Sequence, residues 1–145
     1  MTNKLIGIGV TANTRLAKDA PDSFKRITEE AVQEVMEAGE QRLDERFRPR
    51  PGGVYLSVAQ AQRNKASTGH YRRFINGVRR GLNAIIKDGF PGVIYGPWLE
   101  GTSTRNQVSR FKGYFVWRDT RQWLQAEANR IARKKVRKWI RMVSG

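Results

Sequence analysis

The chain has 145 residues, of which 28 are Lys or Arg and 13 are Asp or Glu, giving a formal net charge of +15. This length suits a single hydrophobic core, so we expect residues 1–145 to form one domain. Cysteine is absent, which excludes disulfides, thiolate metal sites and cysteine nucleophiles. No apolar run is long enough for a transmembrane helix or a secretion signal, so we expect a soluble protein made inside the cell.

The positive charge is concentrated in the second part of the chain. Residues 1–48 hold eight basic and nine acidic residues, whereas the remainder holds 20 basic residues and only four acidic ones. A compact fold tolerates such an excess best beside a polyanion or an acidic partner. Nucleic acid is the obvious candidate, and a solvated basic surface that maintains solubility is the alternative.

Three segments have the patterns of strands. Residues 4–11 alternate small and β-branched side chains, which predicts a strand with one packed face. Residues 54–58 fit either a short strand or the start of a helix. Residues 82–87 are rich in apolar residues and precede a turn-forming Asp-Gly pair, so they predict a further strand.

Two segments have the periodicity of long amphipathic helices. Residues 21–47 carry apolar residues at three- and four-residue steps, and Asp19 or Asp22 can cap the start of this helix. Residues 102–113 predict a polar loop bounded by glycines. Residues 114–143 predict the second long helix, whose apolar stripe includes Leu124, Ala128, Ile131, Trp139, Ile140 and Val143.

The last third of the second helix is strongly basic. Helical spacing places its cations away from the apolar stripe, which predicts an electrostatic role. One expectation is that they face DNA phosphates without recognising the base sequence. Another is that they face the acidic outer face of the first helix in a neighbouring subunit. The alternative without a function is an ordinary solvent-exposed helix face. The Trp residues of this helix are expected to pack in the core or an interface rather than stack on bases. The cations are Arg130, Arg133, Lys134, Lys135, Arg137, Lys138 and Arg141.

The sequence does not indicate catalytic chemistry. The acids outside the first helix are scattered, and nothing marks a nucleophile or an orienting acid for the only histidine, His70. No phosphate-binding glycine loop is present either. We therefore expect a protein that is not an enzyme, with no catalytic residue, cofactor or metal site.

Residues 94–102 resemble the Tyr-x-Pro-x-x-Glu-x-Gly-Thr signature of the small head–tail joining proteins of long-tailed bacteriophages, known as neck, tail-completion or minor tail proteins. Upstream, Thr68-Gly69 is followed by Tyr71-Arg72-Arg73, which is similar to a Thr-Gly-x-x-Arg segment of that family. Residues 111–118 look like its aromatic entry into a long C-terminal helix, and the order of segments also matches. The residues that fit the signature are Tyr95, Pro97, Glu100, Gly101 and Thr102, around the neighbouring Trp98; Glu100 and Gly101 are adjacent here, whereas the family usually has one residue between them.

The resemblance implies an α+β fold, with a small antiparallel or mixed sheet packed against two long helices. It also implies a homo-oligomeric ring in the virion neck, assembled in the host cytoplasm, that joins portal-proximal proteins to the tail and lines or flanks the DNA channel. The expected partners are thus further copies of the chain, other connector and tail proteins, and double-stranded DNA, but no membrane. Tail terminator, tail-completion and head-closure roles all remain open.

Two expectations concern the region around this signature. Residues 95–102 are expected to form a structural turn, with Tyr95 and Trp98 buried and Glu100 hydrogen-bonded to the backbone or to an arginine. The loop that follows is expected to be mobile in the isolated subunit and ordered by a neighbour. Its partner-binding cations are expected to be Arg105, Arg110 and Lys112.

Two other classes of protein fit the same composition. The first is a stand-alone, sequence-nonspecific nucleic-acid-binding protein, which would shift short duplexes without any partner. The second is a small basic nuclease or toxin, which would lose activity on replacement of His70 or Glu100.

Overall fold

The computed structural model describes residues 5–9, 21–47, 71–88, 99–109 and 112–145. It has an antiparallel three-stranded sheet and two long helices, so the predicted α+β class is confirmed. The elements in chain order are strand β1 (Leu5–Gly9), helix α1 (Asp22–Arg46), a 3₁₀ turn (Tyr71–Phe74), strands β2 (Asn76–Arg80) and β3 (Asn83–Lys87), a short helix α2 (Thr104–Val108) and helix α3 (Val116–Ser144).

The two long helices pack side by side in opposite directions. At one end, the guanidinium of Arg46 lies 3.8 Å from the carboxylate of Asp119. At the other end, the indole N–H of Trp139 donates a 3.0 Å hydrogen bond to the hydroxyl of Ser23. Most apolar residues of the two predicted stripes are buried or half-buried, whereas Ile140 and Val143 near the end of α3 are exposed.

Gly39 lies where α1, α3 and the sheet converge. A Cβ atom at this position would overlap the side chain of Ile86 in β3 and crowd that of Leu124 in α3. Ile86 and Leu124 are themselves buried. The glycine therefore allows both long helices to rest on the same point of the sheet, which fixes the position of α3 relative to the rest of the domain.

The sheet has the order β1–β3–β2, and β2 was not predicted from the sequence. Its five residues include Gly77 and two arginines, so they lack the alternation of apolar and polar side chains from which a strand is predicted. A Cβ atom at Gly77 would overlap Met36 and Glu40 of α1, so the glycine lets this strand cross the helix closely. The hairpin to β3 turns at Gly81, whose φ of +58° is followed by a negative φ at Leu82, the sign pattern of a type II′ turn.

The two faces of the sheet differ in burial. Ile6, Ala84 and Ile86 point toward the helices and are buried. On the opposite face, the cross-strand neighbours Val78 and Ile85 remain 47% and 46% exposed. In the described residues, the core of the domain thus lies between the sheet and the helix pair.

The start of α1 differs from the prediction in one detail. Pro21 occupies the N-cap position, and no side-chain hydrogen bond caps the helix, so Asp22 is a first-turn residue rather than a cap. The Pro21 carbonyl accepts hydrogen bonds from the N–H groups of Phe24 and Lys25 at 2.9 and 3.2 Å. Asp19, the other predicted cap, lies outside the described residues.

Candidate functional site: the charged faces of the helix pair

The start of α3 is capped by a residue distant in sequence. The carboxylate of Glu100 accepts hydrogen bonds from the backbone N–H groups of Trp117 and Arg118, both at 2.9 Å. These are the N2 and N3 positions of α3, whose donors an N-cap side chain normally satisfies. The actual N-cap residue, Phe115, cannot do so and adopts a left-handed conformation with φ of +53°. The expectation that Glu100 is hydrogen-bonded to the backbone is confirmed.

Two glycines bring the segment after Glu100 against the segment before α3. Gly101 and Gly113 have φ values of +97° and +106°, which favour glycine. A Cβ atom on Gly101 would overlap the carbonyl oxygen of Lys112, and one on Gly113 would overlap the backbone of Gly101. The N–H of Tyr114 donates a 2.7 Å hydrogen bond to the carbonyl of Leu99 across this crossing. The Glu-Gly-Thr part of the signature therefore has a structural role.

The segment between these glycines contains a helix, so the prediction of a polar loop throughout is wrong. Residues 104–108 form α2, and the Asn106 side chain accepts hydrogen bonds from the N–H and hydroxyl of Ser103, of which the first is the N3-to-N-cap half of a capping box. The ammonium of Lys112 donates to the carbonyls of Asn106 and Gln107, both at 3.1 Å. Lys112 is thus bound within its own subunit. The side chain of Arg105 and the whole of Arg110 lie outside the described residues.

A buried polar cluster joins the 3₁₀ turn to α3. The Tyr71 hydroxyl donates a 2.6 Å hydrogen bond to the carboxylate of Asp88 and accepts one of 3.0 Å from the indole N–H of Trp117. Burial, followed by the hydrogen bond to Asp88, raises the pKa of Tyr71 above its ordinary value. The ring of Phe47 packs edge-on against Tyr71 at 4.8 Å. Tyr71, next to the Thr-Gly segment of the resemblance, is therefore part of the core.

The outer side of α1 carries glutamates that rim two adjoining grooves. The grooves have volumes of about 540 and 420 Å³ and share Glu34 and Glu37, so they are continuous along the helix. This is the acidic face that the sequence predicts for the first helix. The glutamates lining the two grooves are Glu29, Glu30, Glu34, Glu37 and Glu45 from α1, together with Glu127 from α3.

Lys135 does not share the position predicted for the basic end of α3. Its ammonium lies 3.2 Å from the Glu34 carboxylate and 3.6 Å from the Glu30 carboxylate, between the two helices of the same subunit. The hydrogen bond to Glu34 is the main cause that raises the pKa of Lys135. The expected meeting of acidic and basic helices thus occurs partly within one subunit, and Lys135 is not part of the outward-facing set.

The remaining cations of this segment are exposed. Arg130 pairs with Glu127 one turn away, and its hydrogen bond lowers the pKa of that carboxyl group. The others have no acidic partner in the part of the chain that the structure describes. At about 100° per residue, they cover an arc of roughly 140° on α3. We call this surface the basic face; it consists of Arg133, Lys134, Arg137, Lys138 and Arg141.

The end of α3 also exposes apolar side chains that the sequence predicts to be packed. Ile140 and Val143 are 48% and 57% exposed, and Val136 is 37% exposed. Trp139 is the last residue of α3 with a described contact to α1, because α1 begins at Asp22, beside this tryptophan's partner Ser23. The prediction that Ile140 and Val143 pack with the apolar stripe is therefore wrong. At about 100° per residue, Ile140 lies roughly 160° around α3 from Leu124, and residues 140–144 also extend beyond the start of α1.

The tryptophans of α3 are engaged within the subunit, in agreement with the preference for packing over base stacking. Trp117 is buried, and the Arg42 guanidinium lies 4.5 Å from the ring centre of Trp123. The ring of Trp139 packs edge-on against Phe24 at 5.1 Å.

Several predicted positions cannot be placed on this structure. Thr68, Gly69, His70, Tyr95, Pro97, Trp98 and the 54–58 segment lie outside the described residues. Within the described residues, no group of three or more His, Asp or Glu side chains is arranged to hold a metal ion. The described helices also include none that is both long and apolar enough to cross a membrane.

Comparison with models of known protein families, with characterised proteins and with solved structures finds no match to this chain. The function is therefore argued from the surfaces described above.

Proposed function

We propose that the chain is a non-enzymatic structural subunit of the ring-shaped head–tail connector of a long-tailed phage. The observation that carries this proposal is the separation of charge on the helix pair: glutamates line the outer side of α1, and the cations of the basic face of α3 have no acidic partner among the described residues. Within one subunit, Lys135 pairs with Glu30 and Glu34, and Arg79 of the sheet pairs with Glu29. Repeated copies satisfy the rest by meeting head to tail, and such contacts close into rings when the rotation allows.

The order of the described elements supports the same proposal. A long helix, a small sheet, a Glu-Gly-Thr segment and a second long helix follow one another as in the resemblance to neck proteins. Glu100 and Gly101 hold the start of α3 through backbone contacts, which gives this part of the signature a physical reason. The contributions of Tyr95, Pro97 and Trp98 stay predictions.

The part of the basic face that is not used between subunits also suits a channel for genomic DNA. Cations on a solvent-facing helix attract phosphates without recognising bases, and the attraction weakens as salt rises. A ring that conducts DNA must not hold it tightly, and a sequence-blind electrostatic lining meets that requirement. The proposed partners are therefore further copies of the chain, neighbouring connector and tail proteins, and double-stranded DNA.

The proposal is tested by locating the protein and its gene. We expect portal and tail-tube genes beside the gene, the protein in purified virions at the copy number of a ring, and rings with an open centre in electron micrographs. Absence of the protein from virions, together with a gene far from any portal or tail gene, would contradict the proposal.

A stand-alone nucleic-acid-binding protein is the second candidate, and the basic face favours it directly. Its cations lack acidic partners in the described part of the chain, as a phosphate-binding surface requires. The purified monomer should then shift short duplexes of any sequence, and the logarithm of its affinity should fall linearly with the logarithm of salt. Lys134→Glu/Lys138→Glu should reduce that slope, whereas Lys135→Ala should leave it nearly unchanged.

A further inference from the structure

The last turns of α3 combine an apolar stripe with a row of arginines. Val136, Ile140 and Val143 recur at four- and three-residue steps and are all exposed. Arg133 and Arg137 lie along one edge of this stripe, one helical turn apart, and both are exposed. We call these five residues the helix-end stripe. Such a surface fits a groove that has an apolar floor and an acidic rim.

The helix-end stripe is accessible because its apolar residues lie on the side of α3 away from the buried Ile131, and because the end of α3 extends past α1. Trp139 contacts Ser23 and Phe24, close to the start of α1 at Asp22. Residues 140–144 continue the helix beyond this level and are exposed throughout. A helix that projects in this way can enter a groove on another molecule without rearrangement of its own subunit.

The same subunit carries a groove of the required kind. The 420 Å³ groove between α1 and α3 is lined by three apolar side chains and four glutamates, together with other polar residues. We call it the acidic groove. Its apolar lining residues are Ala38, Trp123 and Ile131, and its glutamates are Glu34, Glu37, Glu45 and Glu127.

The two arginines that also line the acidic groove are already engaged. The Arg42 guanidinium lies over the ring of Trp123, and Arg130 is hydrogen-bonded to Glu127. Glu37 and Glu45 are exposed, and each accepts a hydrogen bond from a neighbouring glutamine rather than from a cation. The acidic groove therefore retains carboxylates able to pair with incoming arginines.

The helix-end stripe and the acidic groove lie on opposite sides of the subunit. At about 100° per residue, the three apolar residues of the stripe are centred roughly 160° around α3 from Glu127, Arg130 and Ile131, which line the groove. The two arginines lie on the edge of the stripe nearer the groove. One subunit cannot place its own stripe in its own groove. Complementary surfaces on opposite sides generate a head-to-tail contact, which repeats from copy to copy.

We infer that the helix-end stripe of one subunit docks in the acidic groove of a second copy of this chain. The inference rests on the proposed function and names the surfaces through which the ring forms. The Lys135–Glu34 pair within each subunit shows that a cation from α3 fits against α1 glutamates. Apolar burial supplies adhesion, and the charges fix orientation and reject incorrect pairings.

A charge-exchange experiment tests the inference. The groove variant is Glu37→Lys/Glu45→Lys, and the stripe variant is Arg133→Glu/Arg137→Glu. Each variant alone opposes like charges, so we expect its self-association to weaken roughly tenfold or more, measured by sedimentation and light scattering. In a mixture, each contact between one groove variant and one stripe variant pairs opposite charges, so we expect assembly to return, at the wild-type mass where the number of subunits allows strict alternation.

The matched control for the stripe variant is Arg80→Glu/Lys87→Glu, which makes the same change of net charge, −4, at exposed residues of the sheet. It should assemble like the wild type. Because the chain contains no cysteine, Ala38→Cys and Ile140→Cys provide a second readout. A mixture of the two single variants should form an intermolecular disulfide under mild oxidation, whereas an Ile85→Cys variant mixed with Ala38→Cys should not.

The inference is overturned if the wild type stays monomeric at all concentrations, if the groove and stripe variants assemble normally, or if mixing them restores nothing. A wild-type mass that rises only when duplex DNA is added would instead assign the basic face to nucleic acid, and would equally overturn it. These results are separable from the proposed function. Rings that form in both variants would refute this contact but would leave the connector role intact. If mixing the variants restores assembly but the protein is absent from virions, the contact is supported and the connector role is refuted.

Discussion

The carboxylate of Glu100 lies 2.9 Å from the backbone nitrogen of Trp117, a residue 17 positions further along the chain. This contact fixes the Glu-Gly-Thr segment to the start of α3. The Trp117 indole in turn bonds to Tyr71, so the start of α3 is fixed both to the loop and to the core. The direction of the basic face, which lies at the far end of the same helix, depends on this anchor.

Replacement of Glu100 should destabilise the domain through the start of α3. Glu100→Ala leaves the buried donor at Trp117 and its neighbour at Arg118 without an acceptor, so we expect a loss of about 2–4 kcal/mol. Glu100→Gln retains one acceptor oxygen and should cost about 1 kcal/mol. Urea unfolding followed by tryptophan fluorescence measures both. Exposed Glu45→Ala is the control, and equal stability of Glu100→Ala and the control would refute the capping role.

Replacement of Gly101 by alanine should destabilise the domain by about 2–4 kcal/mol, because the residue combines a left-handed conformation with a close backbone crossing. Gly7→Ala is the matched control, since nothing lies within 4 Å of a Cβ atom there. The control should be neutral within about 0.5 kcal/mol. Thermal unfolding of both variants checks the prediction, which fails if they melt together.

Charge reversal at two adjacent lysines should have different consequences. Lys135→Glu places a carboxylate beside Glu30 and Glu34, so we expect a loss of stability on the order of 1 kcal/mol at low salt. Lys134→Glu changes an exposed residue with no partner in the described residues and should change stability by less than about 0.5 kcal/mol. Unfolding at two salt concentrations distinguishes the two variants. Salt screens the repulsion in Lys135→Glu, so the difference between their free energies of unfolding should become smaller at high salt. Indistinguishable variants would argue against the pairing of Lys135 with α1.

Glu40 should make stability depend on pH. Burial is the main cause that raises its pKa; the nearby Glu37 adds to the rise, and a hydrogen bond from the Gly77 backbone partly offsets it. A carboxyl group whose pKa is higher in the folded state opposes folding when it is ionised, and this cost disappears as the pH falls below its unfolded pKa. Glu40→Gln should therefore be more stable than the wild type at neutral pH, with the difference vanishing in acid.

Denaturant unfolding at a series of pH values measures this difference. Glu45→Gln removes a charge from an exposed position of the same helix and serves as the control. A wild type that is more stable than Glu40→Gln at neutral pH would contradict the sign of the prediction.

The periodicity of apolar residues predicted the two long helices. A helix that buries one side shows this pattern within its own sequence, so no distant residue is needed to recognise it. The strand β2 was not predicted because its glycine, Gly77, is explained by a contact that the local sequence does not show. A side chain at this position would overlap Met36, which is far away in sequence. The inward position of Lys135 depends on the register between α1 and α3, which neither helix encodes alone. The exposure of Ile140 depends on where α1 begins relative to α3.

The Gly101–Gly113 crossing also has a consequence for variation in chain length. The backbone is closed at its stem by the hydrogen bond between Tyr114 and Leu99, so residues 102–112 leave and return at one fixed point. A loop of this kind can lengthen at its tip without moving either end, because loop-closure entropy grows only slowly with length. Val108, the last residue of α2, is 88% exposed, so we expect an epitope tag inserted directly after it to leave α3 in its position.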